Sequence, residues 1–464
     1  MTTRLRRYRV SALYRPKVLI GICAGLVAGT AVANLVGASS VAAAQATKPS
    51  WYMASQPPNV FSAPPAISCV ADGLDCVAIG PGTTCAKRSG VVCVADRSFN
   101  TAEYSRDGGA SWQVAPVPAA AGGEFIDFAS VSCARAGKGR TDCAAWALLT
   151  QEYGTSPSEQ ASYFSTNGGG TWSVGSPPAP VGQNLWQTPI VSCYEVDLEV
   201  DCAGAPDSLG IEFSTDGGAS WARSSYRQSP SFGALGAQDL SCALSRAHMD
   251  CAAVGYVLDA ASGAPVDTVW YSTDGGKNWA AGLLGQREGE LNTVSCVTAE
   301  DRAWCAALGS ETDNDVTANV AAYSDDGGRS WSNSVFPAHS VLPSPWGSVS
   351  CASDGPQVDC AASGSALLFS ADGGANWALA TDANGARGDT VCMSSSPGPT
   401  CYVVGARAAY SYDGGANWSA NKTAKGFGVQ DPMLRDNIAC ASVTLCAVAS
   451  GGALFSTAPP QQVL

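Results

Sequence analysis

The sequence predicts an all-β fold: a single β-propeller of four-stranded antiparallel blades, eight in number, with seven as the alternative. Three observations predict it. A nine-residue pattern, shown by Tyr271-Ser272-Thr273-Asp274-Gly275-Gly276-Lys277-Asn278-Trp279, occurs seven times, with its Ser at Ser105, Ser165, Ser214, Ser272, Ser324, Ser370 and Ser411. Recurrence at this period marks a repeat architecture. Eighteen cysteines fall into close pairs in step with the pattern. Beyond residue 50 the chain shows no sustained helical period, and only 14% of its residues are charged.

The residue types explain the pattern. A strand ends at the Ser. The carboxylate that follows (Asp107, Asn167 in the second copy, then Asp216, Asp274, Asp326, Asp372 and Asp413) accepts hydrogen bonds from the backbone of the turn. The paired glycines supply positive φ. The Trp opens the next strand and returns a large apolar face to the sheet; burying one ring is worth about 4–6 kcal/mol as an upper bound. These carboxylates are therefore read as structural. A Ca²⁺ loop would need further carboxylates at alternating positions, and the pattern has none.

The pattern resembles the Asp box, or BNR repeat, of sialidase-like β-propellers, over nearly the whole chain after about residue 50. The resemblance implies the fold. It does not imply one task, because Asp boxes occur in sialidases, other glycosidases, sorting receptors and assembly factors. Sialidases of the family use an arginine triad, a Tyr/Glu nucleophile pair and an Asp acid/base. Their first arginine lies in an Arg-Ile/Leu-Pro motif that is absent after residue 46.

The cysteine pairs are Cys69/Cys76, Cys85/Cys93, Cys133/Cys143, Cys193/Cys202, Cys242/Cys251, Cys296/Cys305, Cys351/Cys360, Cys392/Cys401 and Cys440/Cys446. Regular local pairs in an exported chain read as disulfides. Each repeat has the form Val-Ser-Cys, a polar turn, then Cys-Ala, which reads as two antiparallel strands bridged across their hairpin. Metal chemistry is not expected: there is no CxxC pair, and only His248 and His339 could supply imidazoles. No cofactor is expected.

Each blade then reads as strand 1 ending in Ser-Cys, strand 2 starting at Cys-Ala, strand 3 ending at the box Ser, and strand 4 starting at the box Trp. Residues 47–457 form the propeller and 458–464 a tail. The last repeat, from Cys440, stops before any box, and Ser50-Trp51-Tyr52-Met53 supplies the missing strand. That strand is expected to complete the last blade and close the ring. The stretch from Cys76 to Cys85 reads as an insertion in the first blade.

Residues 1–46 read as a signal peptide or an N-terminal anchor. Six Lys/Arg in the first 17 residues precede an apolar run over residues 18–37, long enough to span a bilayer. The protein is thus expected to be a monomer, secreted or extracytoplasmic, and membrane-tethered if that run is kept. Beyond residue 46 the chain holds 20 bases against 39 acids, a net charge of −19. Such a surface repels polyphosphate, which excludes nucleic acid as a partner.

Function is sought on the face opposite the boxes. From the second Cys to the box Ser the chain takes 22, 21 and 19 residues in repeats two, four and five, and these read as long loops. They carry the candidate ligand-binding residues Asp267 and Asp313. The segments leading into strand 1 should ring the channel. They carry Glu124, Asp127, Glu288 and Glu290, candidates for acid catalysis, beside Trp186 and Trp346, candidates for stacking on sugar rings; Asp239 and Asp389 fall in equivalent places. Two readings follow: an exported module that binds a glycan or a surface protein, or a sialidase-like glycoside hydrolase using these carboxylates.

Overall fold

The computed structural model describes residues 49–459, apart from 56–59, 62–65, 72, 90–91, 120–124, 151–158, 179–187, 208–209, 228–234, 259–264, 285–289, 314–315, 338–346, 365, 382–384, 387, 425–426, 428–436 and 451–452. The fold is all-β, with eight sheets arranged as the blades of a propeller. Blade 4 shows the plan: Leu235–Ser245, His248–Leu258, Pro265–Ser272 and Asn278–Ala281 run antiparallel from the channel outward. In blade 8 the strands Asn437–Ser442, Leu445–Ser450 and Ala453–Ser456 are joined by Tyr52–Met53 from the start of the described chain. Tyr52 stands opposite Ser456, antiparallel.

The core lies between blades. Eight apolar clusters occur among the described residues, one for each pair of neighbouring blades, including the pair formed by the last and the first. Each box Trp is buried against the preceding blade, with Trp279 fully enclosed. Trp51 takes the same place between blades 7 and 8.

The box owes its geometry to its Ser as much as to its Asp. In blade 4 Ser272 Oγ donates to Asp274 Oδ1 (3.0 Å) and accepts the Gly276 N–H (3.0 Å). Asp274 accepts the Asn278 N–H (2.9 Å), and Trp279 Nε1 donates to Gly276 O (2.9 Å). Asn167 keeps this plan, accepting from Ser165 Oγ and the Thr171 N–H. The indole bond is missing in two boxes, where Trp172 and Trp377 leave a buried Nε1 without a partner among the described residues. The second glycine of each box is fixed by its neighbour. Gly218 has φ 92°, and a Cβ there would stand 2.6 Å from the Ala144 Cβ of the preceding blade. Ala203, Ala252, Ala306, Ala361 and Ala447 meet the next box in the same way. This explains the alanine after the second cysteine in these six blades; in blade 1 Val77 stands there against Gly169, and in blade 7, which no box follows, Tyr402 does.

The Val-Ser-Cys signature also acts between blades. The N–H of Cys133, Cys193, Cys242, Cys296, Cys351 and Cys392 donates to the Ser Oγ of the preceding blade (Ser68, Ser132, Ser192, Ser241, Ser295 and Ser350). Strand 1 has no sheet neighbour on its channel side, so these bonds satisfy donors that would otherwise be orphaned.

Eight disulfides occur among the described residues: Cys69–Cys76, Cys133–Cys143, Cys193–Cys202, Cys242–Cys251, Cys296–Cys305, Cys351–Cys360, Cys392–Cys401 and Cys440–Cys446. Each joins directly opposed cysteines, as Cys193 and Cys202 are. They point to an oxidising, extracytoplasmic setting. The bridges differ in one respect from the sequence reading, which treats them as staples of a hairpin alone. The second cysteine of every pair is buried in the core: Cys76, Cys143, Cys202, Cys251, Cys305, Cys360, Cys401 and Cys446 are each at most 1% exposed. Each of the eight apolar clusters contains one of them. The physical reason is their place on strand 2, an inner strand paired on both sides and covered on both faces by neighbouring blades. These sulfurs therefore belong to the packing between blades and not to a functional site. The side chains of Cys85 and Cys93 lie outside the described ones; the backbone there continues blade 1 as the paired strands Cys76–Ser89 and Val92–Ser105. Among the described residues no helix is long and apolar enough to cross a membrane, and residues 18–37 lie outside them.

A second expectation changes. The long connections of blades 2, 4 and 5 are mainly strand. Arg140–Thr150 pairs with Glu159–Ser165, His248–Leu258 with Pro265–Ser272, and Arg302–Asp313 with Val316–Ser324. In blade 5 the ladder runs to Asp313 opposite Val316. Backbone pairing absorbs the extra residues, because an unpaired excursion of that length would leave many N–H and C=O groups to solvent. Blades 6, 7 and 8 keep short strands of four to seven residues. The face opposite the boxes is therefore uneven, with tall blades 1, 2, 4 and 5 against low blades 6 to 8.

Candidate functional site

The starts of the channel-lining strands converge on the face opposite the boxes. A cavity of ≈ 260 Å³ opens there, bordered by Asp239, Thr293, Ser348, Asp389, Thr390 and Asn437. These residues come from blades 4 to 8, and each is brought to the mouth because strand 1 begins there. The described lining is dominated by hydroxyls, an amide and two carboxylates. Asp239 is held firmly: it accepts from the Leu240 N–H (2.8 Å), Thr293 Oγ1 (3.0 Å) and the Val294 N–H (2.9 Å). It thereby bridges blade 4 to blade 5. A bulge between Ala237 and Asp239 sets it in this position. Thr390 is buried, and its Oγ1 has no hydrogen-bond partner among the described residues. An unpaired buried hydroxyl costs about 1–3 kcal/mol, and this one lies beneath the cavity surface.

The candidates singled out in the sequence are scattered. Glu124, Glu288, Trp186 and Trp346 lie outside the described residues. Asp127 is exposed on the first strand of blade 2, and desolvation by the surrounding protein raises its carboxyl above the ordinary range. Glu290 begins the first strand of blade 5 and accepts from Gln238 Nε2 (2.9 Å). Blades 3 and 4 stand between these two acids, so they are not neighbours in one pair. Asp267 is half-buried opposite Tyr256 in the outer part of blade 4, and Asp313 ends the second strand of blade 5. The residues that do share a cavity are Asp239 and Asp389. Their signal was present in the sequence, since both precede a Ser-Cys or Val-Cys by the same short interval.

The box carboxylates are structural in their electrostatics too. Burial alone would raise Asp216, Asp274, Asp326, Asp372 and Asp413; hydrogen bonds from the residue four positions on and from the box Ser outweigh it and hold them below the usual range. A second set of acids precedes the second cysteine of a blade. Desolvation beneath the next blade's box raises Asp142, Asp201, Asp250 and Asp359. Among the described residues no group of three or more His, Cys, Asp or Glu is placed to hold a metal ion.

The family model for the BNR/Asp-box repeat matches residues 270–281, the box of blade 4 with its flanking strands. No curated protein matches the chain. Among solved structures the chain is similar to YCF48 bound to D1 peptide (16% identity, 76% of this chain and 94% of that one, TM-score 0.40). It is also similar to YCF48 from Cyanidioschyzon merolae (12%, 88% and 98%, TM-score 0.41). A third is the alpha-L-arabinanase of Penicillium chrysogenum complexed with arabinobiose (12%, 73% and 94%, TM-score 0.35). The family assignment rests on the repeated box rather than on these likenesses. With seven boxes, six of them of the full Asp form, in an eight-bladed all-β fold, the chain is a β-propeller that carries the BNR/Asp-box repeat.

Proposed function

We propose that the protein is an exported, disulfide-stapled module that binds a glycan or a surface protein, as a monomer, through the face opposite the boxes. The observation that carries this reading is the channel-mouth cavity. It gathers hydroxyl, amide and carboxylate groups from successive blades. The tall blades 4 and 5 beside the low blades 6 to 8 give a ligand a wall to rest on and an open side to enter by. Residues 18–37, whether removed as part of a signal or kept as a tether, serve the same end by carrying the propeller out of the cytoplasm.

Asp239 is committed to the scaffold: its hydrogen bonds from Leu240, Thr293 and Val294 tie blade 4 to blade 5, which suits a fixed contact for a bound ligand. A glycoside hydrolase is the second reading, because Asp239 and Asp389 border one cavity and hydrolysis uses paired carboxyls.

The test uses the oxidised full chain on a glycan array and against sialosides and plant and bacterial polysaccharides, with products read by mass spectrometry. Retention without cleavage, weakened in Asp389→Asn, is the expected result. Cleavage that disappears in Asp389→Asn replaces the binding reading with the hydrolase. Neither cleavage nor retention on any glycan leaves a protein as the partner.

A further inference from the structure

The opposite face holds a second site. Between blades 4 and 5, on the box face, four basic side chains gather in a chain of net charge −13. Arg246 and His248, one of only two histidines, stand at the hairpin between the first two strands of blade 4. Arg302 begins the second strand of blade 5, and Arg329 occupies the variable position of that blade's box. All four are exposed, and they border a cavity of ≈ 370 Å³.

Two of the guanidiniums are oriented by aromatic rings. Arg302 lies over Trp304 at 5.5 Å and Arg329 over Tyr271 at 6.0 Å. A guanidinium held by its face keeps its N–H edge free to bond in plane. The carboxylates nearby are mostly committed elsewhere. Asp326 is bonded within its own box by Ser324 and Ser330, at 2.6–2.9 Å. Asp250 is buried and bonded to Ser245, and Asp325 is the exposed acid among the lining residues. Glu300 approaches Arg302 from outside the cavity at 3.5 Å. An incoming group therefore meets the four basic side chains and Asp325 at the mouth, with Asp250 buried beneath Arg329, His248 and Arg246 and Asp326 turned into its own box.

The fold does not require this cluster. The place of Arg329 is taken by Ala110, Gly170, Ala219, Ala375 and Ala416 in other boxes, and by a cation only at Lys277. The blades without the cluster pack by the same box, so its charges answer to something other than packing.

We propose that this cavity binds an oxyanion group (phosphate, sulfate or carboxylate) carried by a ligand, with Arg302 and Arg329 as the principal contacts. Planar guanidiniums meet such groups with paired, charge-assisted hydrogen bonds. The site lies on the face opposite the channel-mouth cavity and stands or falls independently of the binding function proposed there.

The experiment is calorimetric titration of the oxidised full chain with sodium phosphate, sulfate and acetate in separate runs, at constant ionic strength with chloride as background. One site with a Kd of about 1 mM or tighter is expected for at least one anion. The double variant Arg302→Gln/Arg329→Gln should weaken it by about tenfold or more, since each lost charge-assisted bond is worth upward of a kcal/mol. Arg223→Gln, an exposed arginine on the outer strand of blade 3, should leave it unchanged. Which anion binds separates phosphate and sulfate sources from carboxylate ones. Unchanged melting in chloride shows that the variants are folded. No saturable binding of any of the three anions up to about 50 mM, or equal binding by the double variant, overturns the proposal.

Discussion

Glu103 is the residue most at odds with its surroundings. It lies on the third strand of blade 1, only 1% exposed, and neither carboxylate oxygen has a hydrogen-bond partner among the described residues. Its cross-strand neighbour Ala78 packs against Ala447, Ala449 and Leu454, so Glu103 faces the last blade. The corresponding positions of blades 4, 6 and 8 hold Trp270, Leu368 and Phe455. Burial pushes its carboxyl up to about 8, from 4.5. The sign follows from proton binding. The folded state holds this proton more tightly than the unfolded chain, so stability is fully present below pH 4.5 and is lost as pH rises toward 8. At 1.36 kcal/mol per pH unit, the loss is ~3 kcal/mol by pH 7 and ~5 kcal/mol by pH 8. Glu103→Gln has the same shape and no titration, and should remove this slope. Guanidinium unfolding of both oxidised proteins at pH 5 and pH 8 reads the difference directly, because every other titrating group is shared. The variant should be the more stable by a few kcal/mol at pH 8 and nearly equal to the parent at pH 5. If the gap between the two proteins is the same at both pH values, the assignment of a buried, neutral Glu103 is wrong.

Gly218→Ala should destabilise by about 2–5 kcal/mol in the same assay, from positive φ and from overpacking against Ala144; Gly139→Ala, with positive φ but open space around it, should cost only about 1 kcal/mol. Asp216→Asn should cost about 1 kcal/mol or less at pH 7, because Asn167 already builds the same turn; it should also blunt acid unfolding, since a carboxylate held below its usual range gives stability that is lost as pH falls through its folded value. Ser192→Ala should cost about 1–3 kcal/mol by leaving the Cys242 N–H without its acceptor, read as a shift in the unfolding midpoint. Replacing Cys193 and Cys202 together by Ala should cost about 2–3 kcal/mol on the loop-entropy estimate for so short a loop, with the parent under reducing agent losing more through all its bridges together.

The blades, their order and their disulfides were legible in the sequence because each rests on local rules. A turn needs glycine, a hairpin sets two cysteines face to face, and Trp seeks burial. What escaped was whatever depends on the neighbouring blade. Ser192 reads as strand-end filler until Cys242 is seen to donate to it. Ala144 reads as a weak strand former until the Gly218 turn of blade 3 is found against it. Cys143 and Cys251 read as one end of a local staple until the next blade is seen to enclose them. The long connections read as loops because their length was visible and their pairing was not; a ladder from Cys305 opposite Ser324 to Asp313 opposite Val316 is set by registry across the blade. The box-face cluster had a signal of its own. His248 and Arg302 both stand three residues before the second cysteine of their blade, and comparing the repeats at that position would have placed them side by side.

The same comparison indicates where function sits. In a ring each blade is stabilised mainly by its two neighbours, so the recurring residues are committed to blade contacts: box Asp to its turn, Ser to the next Cys, Ala to the next Gly. A residue committed in this way is poorly placed to serve a ligand, since moving it would loosen two blades at once. Residues outside those recurring roles are better placed: Asp389 borders the channel-mouth cavity, and Arg329 on the box face stands where five other boxes carry Ala or Gly. Glu103 breaks the repeat as well, but it is enclosed between blades and borders neither cavity. Accessibility thus separates the two kinds of exception: those reachable from solvent are candidates for recognition, and the enclosed one is expected to add its own loss of stability as pH rises.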